Sequence, residues 1–161
     1  MRNINEWLAD YGDSHRNSTN KALHWICVPP IVLSALGLVA SVPVPAALLA
    51  FWPAFNWMFV VILLAIVYYW LLSPALALGI VPLFVLMVYL LALMTRLPWP
   101  LWQTCLAIFV LAWIGQFIGH KIEGKQPSFF KDVQYLLIGP LWLLAFVYRS
   151  FGWRYAPAHD P

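Results

Sequence analysis

The sequence predicts an all-α polytopic membrane bundle. It has four full spans, a fifth segment that is either a short span or a re-entrant helix, and a short N-terminal interfacial helix. Composition leads there first: of 161 residues, 63% are hydrophobic and only 9% charged, where a soluble domain carries about a quarter charged residues. Apolar runs at 25–42, 53–72, 75–94 and 99–119 each approach the roughly 20 residues needed to cross a hydrocarbon core. The runs are unbroken, which excludes the alternating pattern of a membrane barrel. Helices are then the spanning structure that satisfies its own backbone. A single domain over residues 1–161 is expected.

Each element has local signals. Ile4 to Leu8 starts a short helix, with Trp7 and Leu8 suited to a membrane boundary. Gly12 and the cluster Asn17, Ser18, Thr19 and Asn20 read as breaks, and the cluster offers N-caps for the first span. Pro29 and Pro30 predict a kink or an irregular entry, and Pro43 and Pro45 end that helix. Ser73 and Pro74 form a tight break between the second and third helices, and Gly79 and Pro82 interrupt the third. Arg96, Pro98 and Pro100 mark the next turn. The fourth helix delivers Gln116 and then His120 at its end, followed by a polar stretch at 121–132. Residues 133–148 are apolar, contain Gly139 and Pro140, and end at Arg149.

The first 24 residues are polar and amphipathic, the opposite of a basic stretch followed by an apolar core. Internal helices are therefore expected to direct insertion. Four crossings between His24 and His120 put both on one membrane face. Arg2, Arg16, Lys21, Lys121, Lys125 and Lys131 share that face, against Arg96 opposite, which makes it cytoplasmic by the positive-inside rule. Arg149 and Arg154 join them if the last segment is re-entrant, and the count favours that arrangement. A net charge of +3 spread along the chain forms no basic stripe, so nucleic-acid binding is not expected. Cys27 and Cys105 lie in apolar runs as small hydrophobes.

The polar chemistry is confined to two stretches, His15 to His24 and His120 to Glu123. Imidazole is the commonest transition-metal ligand, and ionisable groups beside membrane spans are costly unless paired, solvated or metal-bound. On one straight helix His15 and His24 would lie about 13 Å apart on opposite faces, so a break at 17–20 must fold the first segment back over the second. His120 and Glu123 share a helical face. Three imidazoles plus a carboxylate or water make a nitrogen-rich site for iron or zinc. Glu123 equally suits surface pairing with Lys121 and Lys125. Gln116, Asn17 and Asn20 suit orientation of the imidazoles or helix capping. His159 lies in the tail with no companion motif. Tyr68, Tyr69 and Trp70 read as packing before an acyl pocket. No Gly-rich phosphate loop, GxSxG elbow or HExxH helix is present.

Two blocks carry a resemblance. The first is Tyr11, Gly12, Asp13, Ser14, His15, Arg16 and Asn17, followed by Asn20, His24 and Pro29. The second is Gln116, Phe117, Ile118, Gly119 and His120, with Glu123, Gly124, Lys125, Pro127, Ser128 and Phe129 after it. In order, and flanking an apolar middle, they resemble the 2-hydroxy fatty acid dioxygenase family that acts in phytosphingosine breakdown to odd-numbered fatty acids. The resemblance runs from Asn5 to about Arg149. It implies Fe(II), O₂, and a long-chain 2-hydroxy fatty acid shortened by one carbon. It also implies His15, His24 and His120 as catalytic iron ligands, with Glu123 a further candidate. Arg16, Lys121 or Lys125 could draw in the substrate carboxylate. No tail assignable to endoplasmic-reticulum retrieval is present, so a bacterial inner membrane is the expected location. The competing readings are a non-catalytic lipid-binding or scaffold protein with histidines as interfacial caps, and a zinc-dependent lipid hydrolase.

Overall fold

The computed structural model describes residues 2–126 and 134–156. Pro127, Ser128, Phe129, Lys131, Val133 and His159 lie outside the described residues. Among those described there are seven helices and no strand: α1 Ile4–Asp13, α2 Ser18–Ala40, α3 Ala46–Phe51, α4 Trp57–Leu72, α5 Pro74–Met94, α6 Leu101–Glu123 and α7 Tyr135–Ser150.

Helices α2, α5 and α6 are long and apolar enough to cross a membrane, while α4 and α7 are apolar but shorter. Length therefore singles out three spans where four were expected. The shortfall arises at the start of α4. Asn56 caps it by accepting from the Met58 amide at 2.9 Å while donating to the Ala40 carbonyl at 3.0 Å. That holds Asn56 itself in an extended conformation and leaves 16 residues, about 24 Å of helix. The six-residue α3 in the preceding connection was not expected. Leu63, Leu78, Val85 and Leu111 are 61–68% exposed, as lipid-facing side chains of a membrane bundle would be.

Helix α1 begins where it is expected, and its apolar face meets protein. Ile4, Trp7, Leu8 and Tyr11 form the i, i+3, i+4, i+7 stripe of an amphipathic helix, yet all four are buried in protein. They pack on α7, with Trp7 5.2 Å from Tyr135 and Tyr11 5.7 Å from Trp142 between ring centres. Tyr135 donates to Asp10, and Arg2 pairs with Asp10 at 3.1 Å. The helix also runs through Gly12 without breaking.

Helices α2 and α6 run antiparallel along a seam of small residues. Gly37 faces Cys105, Gly115 faces Cys27 and Gly119 faces Asn20. A Cβ at Gly115 would stand 2.6 Å from the Cys27 sulfur, and one at Gly119 would stand 2.5 Å from Asn20 Oδ1. Close backbone approach of this kind replaces hydrophobic collapse as the glue between helices in lipid. Both cysteines are free and buried, as expected of small hydrophobes. The seam sets the α2 N-terminus beside the α6 C-terminus.

Helix α7 has both ends at that same end of the bundle. The Tyr69 hydroxyl donates to the Leu137 carbonyl at 3.0 Å, and the Tyr148 hydroxyl donates to the Ala75 carbonyl at 2.9 Å. Ser73 donates to the Tyr155 carbonyl. Tyr69, Ser73 and Ala75 surround the α4–α5 turn, so α7 starts and finishes near one level.

Candidate metal centre

The connection between α1 and α2 brings the first two histidines together. Helix α1 stops at Asp13, and Asn17 begins α2 by accepting from the Thr19 amide at 2.9 Å. The turn thus occupies 14–17, three residues earlier than the cluster that predicted it. His15, in the turn, folds back onto the first turns of α2. Its Nε2 stands 2.8 Å from Nε2 of His24. His120 arrives on the last turn of α6, with its ring centre 5.0 Å from His15 and 5.1 Å from His24. One nitrogen from each of the three lies within 4.8 Å of the others, and all three residues are buried.

The protonation pattern follows from the partners. His15 Nδ1 lies 2.5 Å from the Tyr11 carbonyl, and His24 Nδ1 lies 3.1 Å from the Asn20 carbonyl. A carbonyl only accepts, so each Nδ1 carries the proton and each Nε2 presents a lone pair. Two lone pairs facing at 2.8 Å repel unless one cation binds both. A shared proton is disfavoured, because burial pushes His15 down to about 4 and leaves it neutral near pH 7. His120 Nδ1 is buried with no hydrogen-bond partner. Two facing Nε2 lone pairs beside a third imidazole with an orphaned nitrogen fit a divalent transition metal.

The surrounding groups hold this arrangement. The carbonyl four residues before each of His15 and His24 fixes its tautomer, as is usual for metal-binding histidines. Asn20 therefore orients His24 through its backbone. Its side chain instead donates to the Ser14 carbonyl and to Glu123, both at 3.1 Å. Asn17 acts as a helix cap. Glu123 accepts from the amides of Arg16 at 2.9 Å and Asn17 at 2.8 Å as well. Its carboxylate thus ties the His15 turn to α6 and stands outside the group of three converging nitrogens. Arg16 pairs with Asp13 at 2.7 Å, which holds the Asp13 carboxyl below its ordinary range, and Lys125 donates to the Asp13 carbonyl at 2.7 Å. Lys121 is exposed. None of these three basic residues lines the cavity beside the histidines.

Gln116 does line it. Its side chain is 4% exposed, and its amide nitrogen has no partner. The cavity, of about 50 Å³, also meets His24, His120, Tyr11 and Trp113. Two residues here were not singled out as site residues. Tyr11 stacks on His15 with ring centres 4.4 Å apart, and Trp142 lies 5.4 Å from His15. The four-residue spacing of Tyr11 before His15, repeated by Asn20 before His24, was a usable signal for Tyr11. Trp142 comes from α7, and nothing local pointed to it.

No curated protein and no solved structure matches the chain. A family match does cover nearly all of it, across both histidine blocks. Over residues 1–151 of 161, the chain belongs to the 2-hydroxy-palmitic acid dioxygenase Mpo1-like family.

Proposed function

We propose that this protein is an Fe(II)-dependent dioxygenase that shortens a long-chain 2-hydroxy fatty acid by one carbon using O₂. The observation that carries the reading is the Nε2 atoms of His15 and His24 facing each other at 2.8 Å, each ring with its Nδ1 at a backbone carbonyl, beside the unpartnered nitrogen of His120. The family name supplies the substrate class. His15, His24 and His120 hold the metal in this reading. When bound, Fe(II) supplies open coordination positions for O₂ and a chelating 2-hydroxy acid. The overall conversion, R–CH(OH)–COOH + O₂ → R–COOH + CO₂ + H₂O, takes all its electrons from the organic acid and calls for no separate reductant.

The chain's own residues bind and orient. Tyr11 and Trp142 pack on His15 and keep water from one side of it. The carbonyls of Tyr11 and Asn20 hold both Nδ1 protons away from the metal position. Gln116 offers a buried amide N–H to the head group of the acid, where a donor in a dry site counts for more than in water. The reading puts the site on the cytoplasmic face, because Arg2, Arg16, Lys21, Lys121 and Lys125 lie at that end. The return of α7 adds Arg149, with Arg96 at the opposite turn.

Anaerobic reconstitution with Fe(II), followed by O₂ and 2-hydroxypalmitate, should release the acid one carbon shorter, with O₂ consumed in equal amount. Failure to consume O₂ with any 2-hydroxy acid, at full metal loading, would leave a lipid-binding protein in its place.

A further inference from the structure

We infer that the acyl tail of the substrate occupies an apolar groove that leaves the histidine cavity and follows α2 as far as Val39, with the Gln116 amide on the histidine side of the junction. The inference rests on the proposed function and adds where the substrate lies. The small polar cavity and a larger apolar one of about 310 Å³ share the wall residues Ile31, Val32, Trp113 and Leu136. The larger one continues past Ala35 to Val39, Val61 and Ile62. From His24 to Val39 is about 22 Å of helical rise, close to the length of an extended palmitoyl chain. The walls are almost wholly apolar, although Tyr69 is among them, so the tyrosine first read as packing also borders this space.

Chemistry favours this occupant over a docked helix or a second copy. A head group needing metal, hydrogen-bond donor and apolar tail space finds them in that order along one path. The Gln116 nitrogen is a buried donor awaiting an acceptor, and a carboxylate or hydroxyl supplies one. Val61, 41% exposed, forms part of the wall, so the groove opens sideways at the lipid-facing surface. A bilayer-dissolved acid could enter there without crossing water. A second apolar cavity, of about 170 Å³ on the α5 side, meets the histidine cavity only at Val28 and Val32. It is smaller and shares less of that cavity's wall.

The test is photolabelling in phospholipid nanodiscs, held anaerobic so that no turnover occurs, using 2-hydroxypalmitate with a diazirine at its terminal carbon. Mass spectrometry should place saturable label on Val39, Val61 or Ile62, and excess unlabelled 2-hydroxypalmitate should suppress it. A mid-chain diazirine should move the label to Ile31, Val32 or Trp113. Ala35→Trp, which fills the groove midway, should cut terminal labelling by about tenfold or more while mid-chain labelling persists. Val39→Phe, at the far end, should displace only the terminal label and guards against misfolding of the first variant. Unsaturable label spread over Leu63, Leu64 and Leu111 would overturn the groove, and so would saturable label at Leu83 and Met87 in the smaller cavity. Unchanged Val61 labelling in Ala35→Trp would do the same. If plain palmitate competes as well as the hydroxy acid while the label stays in place, the groove stands and the dioxygenase reading falls.

Discussion

Replacing Glu123 by Gln separates a ligand from a tether. In the native chain one carboxylate oxygen accepts from the Arg16 amide and the other from the Asn17 amide and the Asn20 side chain, at 2.8–3.1 Å. Glutamine keeps the shape but turns one oxygen into a donor, so either one or two of these bonds are lost. A hydrogen bond to a charged group contributes about 1.5–3 kcal/mol. Glu123 is partly exposed and water can replace some of the loss, so about 1–2 kcal/mol of turn stability is a fair expectation. His15 directly precedes Arg16, so the cost passes to metal binding. An energy of that size is about 5–30-fold in an equilibrium, overlapping the 10–100-fold typical of residues that support ligands. Chelator competition with Fe(II) under anaerobic conditions measures it, with far-UV circular dichroism to verify the helices. Loss of metal as complete as in His24→Ala would make the carboxylate a ligand. Unchanged affinity would mean the turn holds its shape without it.

Three further outcomes are expected. His15→Ala, His24→Ala and His120→Ala should each lose bound metal sharply while staying inserted and helical, because insertion depends on the apolar helices; full metal retention in all three would reduce the histidines to helix caps. Gln116→Leu should keep metal content and weaken binding of 2-hydroxypalmitate by about tenfold, the effect of losing a hydrogen bond to a charged group; a fall in metal content instead would assign Gln116 to orienting an imidazole. The third concerns pH. Burial lowers His15 to about 4 in the folded state, against about 6.5 unfolded, so the unfolded chain takes up the proton first as pH falls. The contribution of His15 to the stability of the metal-free protein should be complete above about 6.5 and decline steadily towards about 4. Thermal melting of wild type against His15→Phe over that range reads it, and parallel curves would show that His15 is not buried in solution.

The helical class and the membrane-like surface are legible in the chain alone, because apolar runs of bilayer length admit few other structures. The sequence also singled out His15, His24 and His120, since titratable side chains stand out against such a background, and it required a fold-back between His15 and His24 because a straight helix cannot bring them together. Local signals failed where distant groups decide the outcome. Gly12 was read as a break, but the stripe of Ile4, Trp7, Leu8 and Tyr11 packed on α7 carries α1 through it. Asn56 shortened α4 through a bond to Ala40, sixteen residues away. Spacing put Glu123 beside His120 but gave no sign that its carboxylate accepts from the backbone amides of Arg16 and Asn17, more than one hundred residues earlier. The protonation state of the centre, the unpartnered Gln116 amide and the groove along α2 exist only once α2 and α6 close along their glycine seam and α7 folds back beside them. Hydrogen-bond partners and cavity walls are set by which segments meet in space, and apolar helices of similar composition carry little information about which of their neighbours they will meet.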